Sequence, residues 1–238
     1  MLIFFGCDIQ KNNTVEREPV NDNVVRQYWP DKSLKVEVPY ENKKKHGIAR
    51  TYYRGGKIRV ETTYKEGIIH GISKFYFENG RVYRQTPYVN GDIHGVVEKF
   101  RENGTKAAEI KYFEGMPCEG LKEFYLDGRE KENFPSLKFR EIDEILTAQR
   151  VAVEVNLSEK VRKVEFYRGR LNDQGCLDES KAIKVGDGLE QNIRIYFPLP
   201  PGSFRMEEIH IVVKIVTTQN NPYILYGKYN LAVENRHQ

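Results

Sequence analysis

Apolar and polar residues alternate through Ile58–Tyr64 of this chain, where Ile58, Val60, Thr62 and Tyr64 are separated by Arg59, Glu61 and Thr63. A period of two marks a strand with one covered face and one wet face. The short run Gly71–Phe77 is rich in β-branched and aromatic residues, and runs like these return at a fixed interval. His46, His70 and His94 stand 24 residues apart, as do Gly56, Gly80 and Gly104, and Gly67, Gly91 and Gly115. An aromatic residue also falls at each half-interval: Tyr28, Tyr40, Tyr52, Tyr64, Tyr76, Tyr88, Phe100 and Tyr112. Such self-similarity predicts a repeat array, each unit one supersecondary element covered by its neighbours.

Each unit is expected to be a β-hairpin. Glu78-Asn79-Gly80, repeated as Glu102-Asn103-Gly104, separates its two halves, and Asn90-Gly91 or Glu66-Gly67 precedes the next His-Gly. Asn-Gly tolerates positive φ at both positions, so Asn79-Gly80 is predicted to make a tight turn. Gly47, Gly56, Gly71, Gly80, Gly95 and Gly104 are the structural glycines of this scheme. The array becomes an antiparallel meander over residues 24–134.

At this point the residues carry a family pattern. His70-Gly71, four residues, Tyr76-Phe77, then Asn79-Gly80-Arg81, with Tyr88 and Asn90-Gly91 before the next His94-Gly95, resembles the MORN-repeat variant family of bacteria. The resemblance implies a hairpin scaffold, and because the family includes antitoxin components of toxin–antitoxin pairs it implies a protein partner, a toxin among the candidates. The end units depart from the pattern. Asp22-Asn23 replaces His-Gly, Asp31-Lys32 replaces Asn-Gly, and Cys118-Glu119-Gly120 carries one extra residue. Atypical end units are what capping an array requires.

From Pro135 the period stops, but strand patterns continue. Alternation is clear in Val151, Val153, Val155 and in Ile209, Ile211, Val213, Ile215. Strands are expected at 150–156, 161–168, 193–197, 209–217 and 224–233, with another over 138–146. Turn signals separate them at 172–175, at Gly186-Asp187-Gly188, at 198–202 and at 220–222. Residues 135–238 therefore read as a β-sandwich, immunoglobulin-like or jelly-roll, and the fold class is all-β.

Composition adds little to the fold and more to function. The chain has 238 residues, 39% hydrophobic and 30% charged, with a net charge of +4. That charge is too mild to argue for nucleic acid, and Lys43-Lys44-Lys45 reads as a solvated turn. The apolar start Met1–Phe5 followed by Gly6-Cys7 resembles the end of a bacterial lipoprotein signal, although it is short and lacks a basic region. Two readings stay open: residues 1–7 end a signal with lipidation at Cys7 and 8–23 form a tether in the cell envelope, or the N-terminus is an untethered tail of a cytoplasmic protein. Cys118 and Cys176 fall in different predicted domains, and free buried thiols are the expected state.

No catalytic or cofactor pattern emerges. The repeat histidines would lie about 9–10 Å apart on neighbouring hairpins, too far to share a metal ion; each ring is expected to bond a turn carbonyl instead. Glu207-Glu208 and Glu141, Asp143 and Glu144 lack partners in sequence and read as solvated faces. The whole aromatic series, counted by parity, is expected on one face of the sheet, with Trp29, Tyr53, Phe75 and Phe77 on the other. Arg50 and Lys74 interleave with the rings, so Tyr28, Arg50, Tyr52, Lys74, Tyr76 and Phe100 are the candidate binding residues. The expectation is a non-enzymatic protein-binding scaffold of the cell envelope, without cofactor or metal. Alternatives are an antitoxin or immunity protein, a membrane-surface binder, or an enzyme acting through the sandwich.

Overall fold

Eight long strands of the N-terminal half follow one another across a single antiparallel sheet: β1 (Val24–Tyr28), β2 (Leu34–Glu41), β3 (Gly47–Tyr52), β4 (Ile58–Lys65), β5 (Gly71–Tyr76), β6 (Val82–Val89), β7 (Gly95–Phe100) and β8 (Lys106–Phe113). Two-residue ladders extend the turn ends, and Met116–Pro117 and Lys122–Glu123 close the sheet against β8. The computed structural model describes residues 23–188 and 191–236. The lipidation reading of Cys7 and the tether before Asn23 lie outside them.

The turns explain the repeat. Links between hairpins are two-residue turns with both central residues at positive φ, as in Asn90 (52°) and Gly91 (97°) or Glu66 (51°) and Gly67 (91°). This primed geometry matches strand twist. The turn inside each hairpin differs from expectation. Around Asn79-Gly80 only Gly80 takes positive φ (88°), the Phe77 and Arg81 backbones bond across a longer loop, and Asn79 Oδ1 accepts the Arg81 N–H at 2.9 Å. The first unit keeps this geometry despite its sequence: Asp31 replaces Asn79 as the acceptor, and Lys32 takes φ 68° where later units have glycine.

Those longer loops bring a second correction. A β-bulge shifts the register in every hairpin, between Gln27 and Tyr28, Thr51 and Tyr52, Phe75 and Tyr76, and Lys99 and Phe100. Tyr52 pairs with Ile58, but one step on Thr51 pairs with Val60. The extra residue inverts the parity of facing positions. The aromatic series therefore splits. Tyr52 and Tyr76 reach carboxylates on one face, whereas Tyr64 and Tyr112 belong to the opposite face, with Tyr112 packed on buried Val97, Ile110 and Leu121.

Residues 135–236 form two sheets. One has the order β9 (Leu137–Glu144), β10 (Arg150–Leu157), β13 (Asn192–Pro198); the other has β12 (Ile183–Gly188), β11 (Val164–Arg168), β14 (Phe204–Val216), β15 (Pro222–Glu234). A single helical turn, Ile145–Ala148, joins β9 to β10. The chain crosses between sheets after β10, β12 and β13, which is an immunoglobulin-like Greek key. Val151, Val153, Val155, Phe166, Phe197 and Ile209 build a core sealed between the sheets.

Gly186-Asp187-Gly188 is strand rather than turn. An added Cβ at Gly186 would stand 2.5 Å from Ile193 Cγ2, so glycine here admits a neighbouring side chain instead of bending the chain.

The two halves are clamped together. Cys118 and Cys176 form a disulfide, which corrects the free-thiol expectation. Cys118 occupies the histidine place of its unit: its N–H donates to Lys111 O as those of His46, His70 and His94 donate to Pro39, Thr63 and Pro87. Backbone bonds from Glu119 to Gly175 and from Leu177 to Pro117 flank the bridge. Tyr223 of the sandwich packs with Phe134 on the last apolar cluster of the array. Fully buried Glu123 accepts from Asn221 Nδ2 at 2.7 Å and from Thr217 Oγ1 at 2.5 Å, and Lys99 Nζ donates to Asn221 Oδ1 at 2.6 Å. The C-terminal end of the array is thus capped by the second domain.

Candidate functional site

The two faces of the array differ in what they cover. One turns toward the sandwich at its C-terminal end and holds Val97, Ile110 and the small polar residues Ser73 and Thr86, all buried. Ser73 Oγ donates to Glu61 O at 3.0 Å, so its hydroxyl is satisfied within the sheet. The other face is open. Along it Ile48, Ile72 and Val96, one per hairpin, are 42%, 50% and 42% exposed. Successive members lie about 9.5 Å apart, two strand spacings. Apolar side chains repeated in this way form a stripe that water contacts but does not favour.

Beside the stripe runs a row of charges, two residues further along the same strands. Glu37 faces Arg26 and Arg50, Glu61 faces Arg50 and Lys74, and Gln85 faces Glu98. Arg50 Nε donates to Glu61 at 2.9 Å, and its Nη1 lies 3.4 Å from Glu37. Tyr52 OH donates to Glu37 at 2.7 Å, and Tyr76 OH to Glu61 at 2.5 Å. Burial together with the carboxylate that each hydroxyl meets pushes both phenols up to about 12. Glu61 is held below the usual carboxylate range, first by the Tyr76 bond and then by Arg50. In the last hairpin Glu98 takes the place of the cation, and Lys106 bridges Glu98 at 2.7 Å and Glu109 at 2.5 Å. Cross-strand pairs of opposite charge stabilise a sheet and pin its register.

Four of the expected binding residues, Arg50, Tyr52, Lys74 and Tyr76, therefore share the open face but are largely engaged with one another through Glu37 and Glu61. Phe100 lies at the same place in a hairpin without a hydroxyl to offer, and Tyr28 stands 57% exposed on the terminal strand. The glutamates were missed by sequence reading, yet Glu37, Glu61, Gln85 and Glu109 recur every 24 residues beside the cations. Gly47, Gly71 and Gly95 do serve the repeat: each takes positive φ, and at Gly95 an added Cβ would also meet Pro87 Cγ at 3.2 Å.

The repeat histidines and most other titratable groups sit on the sheet faces, with fully buried Glu123 an exception. His46 Nδ1 lies 3.2 Å from Glu41, and the His94 ring packs on Phe113 at 4.9 Å, in place of the ring contact with a turn carbonyl expected from sequence; the histidine backbone N–H groups donate to strand carbonyls of Pro39, Thr63 and Pro87. Among the described residues no three His, Cys, Asp or Glu side chains converge as metal ligands. On the outer face of the sandwich His210 Nδ1 meets Tyr226 OH at 2.5 Å, and Nε2 stands 2.8 Å from Glu208 without hydrogen-bond alignment. Lys228 and Arg170 hold Glu208 as an ion pair partner, and its carboxyl is lowered chiefly by Lys228. Glu207 pairs with Arg168 and Arg205, and Glu144 with Arg150, so these carboxylates are partnered rather than simply solvated.

Comparison with known proteins bears on the array alone. Residues 21–42, 45–66 and 69–90 match the family described as the MORN repeat variant, one match for each of the first three hairpins. No curated protein matches the chain. MORN repeats are generally associated with binding of proteins or membranes. The fourth hairpin, β7–β8, continues the same geometry beyond the matched stretch. Over residues 21–90 this protein is similar to three consecutive MORN repeat variants.

Proposed function

We propose that the protein is a non-enzymatic binding scaffold of the bacterial cell envelope, anchored by lipid at Cys7, whose array presents its open face to a protein partner. The exposed row Ile48, Ile72 and Val96 carries this reading: three aliphatic side chains at half exposure in strict register form a linear apolar contact surface. The ladder beside it keeps the sheet flat-sided and rigid, so binding would order little. The Cys118–Cys176 bridge favours an oxidising compartment, which agrees with export and weighs against a cytosolic antitoxin. An immunity protein acting in the envelope would use the same face. Enzymatic action is not part of the proposal, because the acid–base groups lie on sheet faces tied to counter-ions rather than in a cleft with a free reactive atom.

Site-specific photo-crosslinking in the native cell tests this. A crosslinker placed at Ile72, and separately at Ile48 and Val96, is expected to yield one discrete adduct, absent when it replaces exposed Leu146 on the sandwich. Absence of an adduct at all three positions would sink the reading. Metabolic labelling with palmitate, lost in Cys7→Ser, checks the anchor.

A further inference from the structure

Charge is segregated along the array in a way the whole-chain value conceals. Residues 24–65, the first two hairpins, hold eleven Lys and Arg against four Asp and Glu, a net +7; residues 66–134 hold ten against twelve, a net −2. In the first two hairpins only Arg26 and Arg50 form ion pairs with described residues. The other nine cations do not, and four of them lie on rings: Lys35 and Arg54 on Trp29 at 4.6 and 5.3 Å, Arg59 on Tyr53 at 5.9 Å, and Lys45 on Tyr64 at 5.1 Å. Where a later hairpin reaches the place of Arg54 the residue is Glu78, then Glu102. The basic end is the end away from the sandwich.

We infer that the first two hairpins are the docking end for an acidic polypeptide segment of the partner, its carboxylates meeting Arg54, Lys57 and Arg59 beside the Trp29 and Tyr53 rings. This rests on the protein-binding reading and says where and with what chemistry the partner is held. Nine cations that make no ion pair, with Asp31 acting on Arg54 only through space, lower the free energy of an acidic ligand and steer its approach, whereas the mixed-charge remainder of the array repels no particular sign. A nucleic acid is the less suited polyanion. The cations lie on both turn edges with Glu37 and Glu61 between them, so they do not line one groove that tracks a phosphate backbone. The disulfide also points away from nucleic-acid compartments. An anionic bilayer suits the site poorly, because Trp29 and Tyr53 are partly buried beneath their own cations and do not project as insertion anchors.

The test uses the full chain and fluorescein-labelled decaglutamate, followed by fluorescence anisotropy at low and high salt. The variant Arg54→Glu/Lys57→Thr/Arg59→Tyr installs the residues that Glu78, Thr105 and Tyr83 already supply at the same places in later hairpins, so the fold accommodates them. Salt-sensitive binding to the natural chain, weakened at least about tenfold in the variant, is expected. Equal affinity of both proteins, or no binding to either, would overturn the inference. So would tighter binding of a single-stranded oligonucleotide or of phosphatidylglycerol vesicles than of decaglutamate, or a dimer by sedimentation that the triple variant abolishes. The scaffold reading fails separately. A crosslink at Ile72 that persists undiminished in the triple variant removes only the acidic docking end, whereas loss of all three crosslinks with decaglutamate binding intact removes only the open-face partner.

Discussion

The sandwich is held from inside and the array from its surfaces. In the sandwich thirteen buried apolar residues interlock between two sheets, and the open faces are incidental to that core. Among the described residues of the array, the cluster of buried apolar side chains, Val97, Ile110 and Leu121, lies where the second domain covers it. The first three hairpins rely on turn geometry, on hydroxyl bonds such as Ser73 to Glu61 O, and on the Arg50–Glu37–Glu61–Tyr76 ladder. A single layer cannot remove both of its faces from water. Stability in such a layer comes from nearest-neighbour contacts, and its price is an exposed face, which is also what makes it available for binding.

The contrast can be broken first at the junction. The disulfide closes a loop of 58 residues, for which the chain-entropy relation gives about 4 kcal/mol. Cys118→Ser/Cys176→Ser is expected to lose that much and to split one calorimetric transition into two, the array melting first. A single unshifted transition would mean that the sandwich does not cap the array. The buried carboxylate comes next. Glu123→Ala leaves the Asn221 amide and the Thr217 hydroxyl without their acceptor, at a cost of about 3 kcal/mol by chemical denaturation. Hydrogen exchange should rise at both β7–β8 and the β14–β15 turn, not at one alone.

Smaller effects separate the array from the sandwich. Tyr76→Phe removes one charged-acceptor hydrogen bond and should cost about 1–2 kcal/mol, with faster exchange confined to β4–β6. Alkaline titration gives the finest test. Tyr52 and Tyr76 are raised from 10 to about 12, so their contribution to stability is complete below pH 10 and is lost as pH rises through 12. Tyr52→Phe/Tyr76→Phe should flatten that part of the array's stability profile. On the acid side the sandwich has its own marker. Glu154, bonded by Asn156, Arg194 and Arg140, falls from 4.5 to about 2, so its contribution is present above 4.5 and lost as pH falls toward 2. Glu154→Gln should remove that acid dependence and leave the alkaline limb intact.

Some of this was legible in advance because it is local. A hairpin that begins at His-Gly and is linked to the next through Asn90-Gly91 can be read from a few adjacent residues, since positive φ at a turn is decided by the residue there. Inner strands such as β10 and β14 announced themselves by alternation because one face of each is sealed. The edge strand β12 did not, because Ile183 and Val185 on it are exposed and Gly186 imitates a turn. The candidate residues Arg50 and Tyr76 were placed on a common face, while their tie through Glu61 was overlooked. The segregated charge was present in the sequence too, hidden by averaging over the chain.

By itself the sequence determined the period, the hairpins and their order, because each depends on residues within one turn or one strand of each other. Only the tertiary structure decided which rings share a face, that Cys118 meets Cys176, and which side of the sheet stays open. A bulge changes parity without a sequence mark of its own, and a bridge across 58 residues depends on how two separately patterned domains meet.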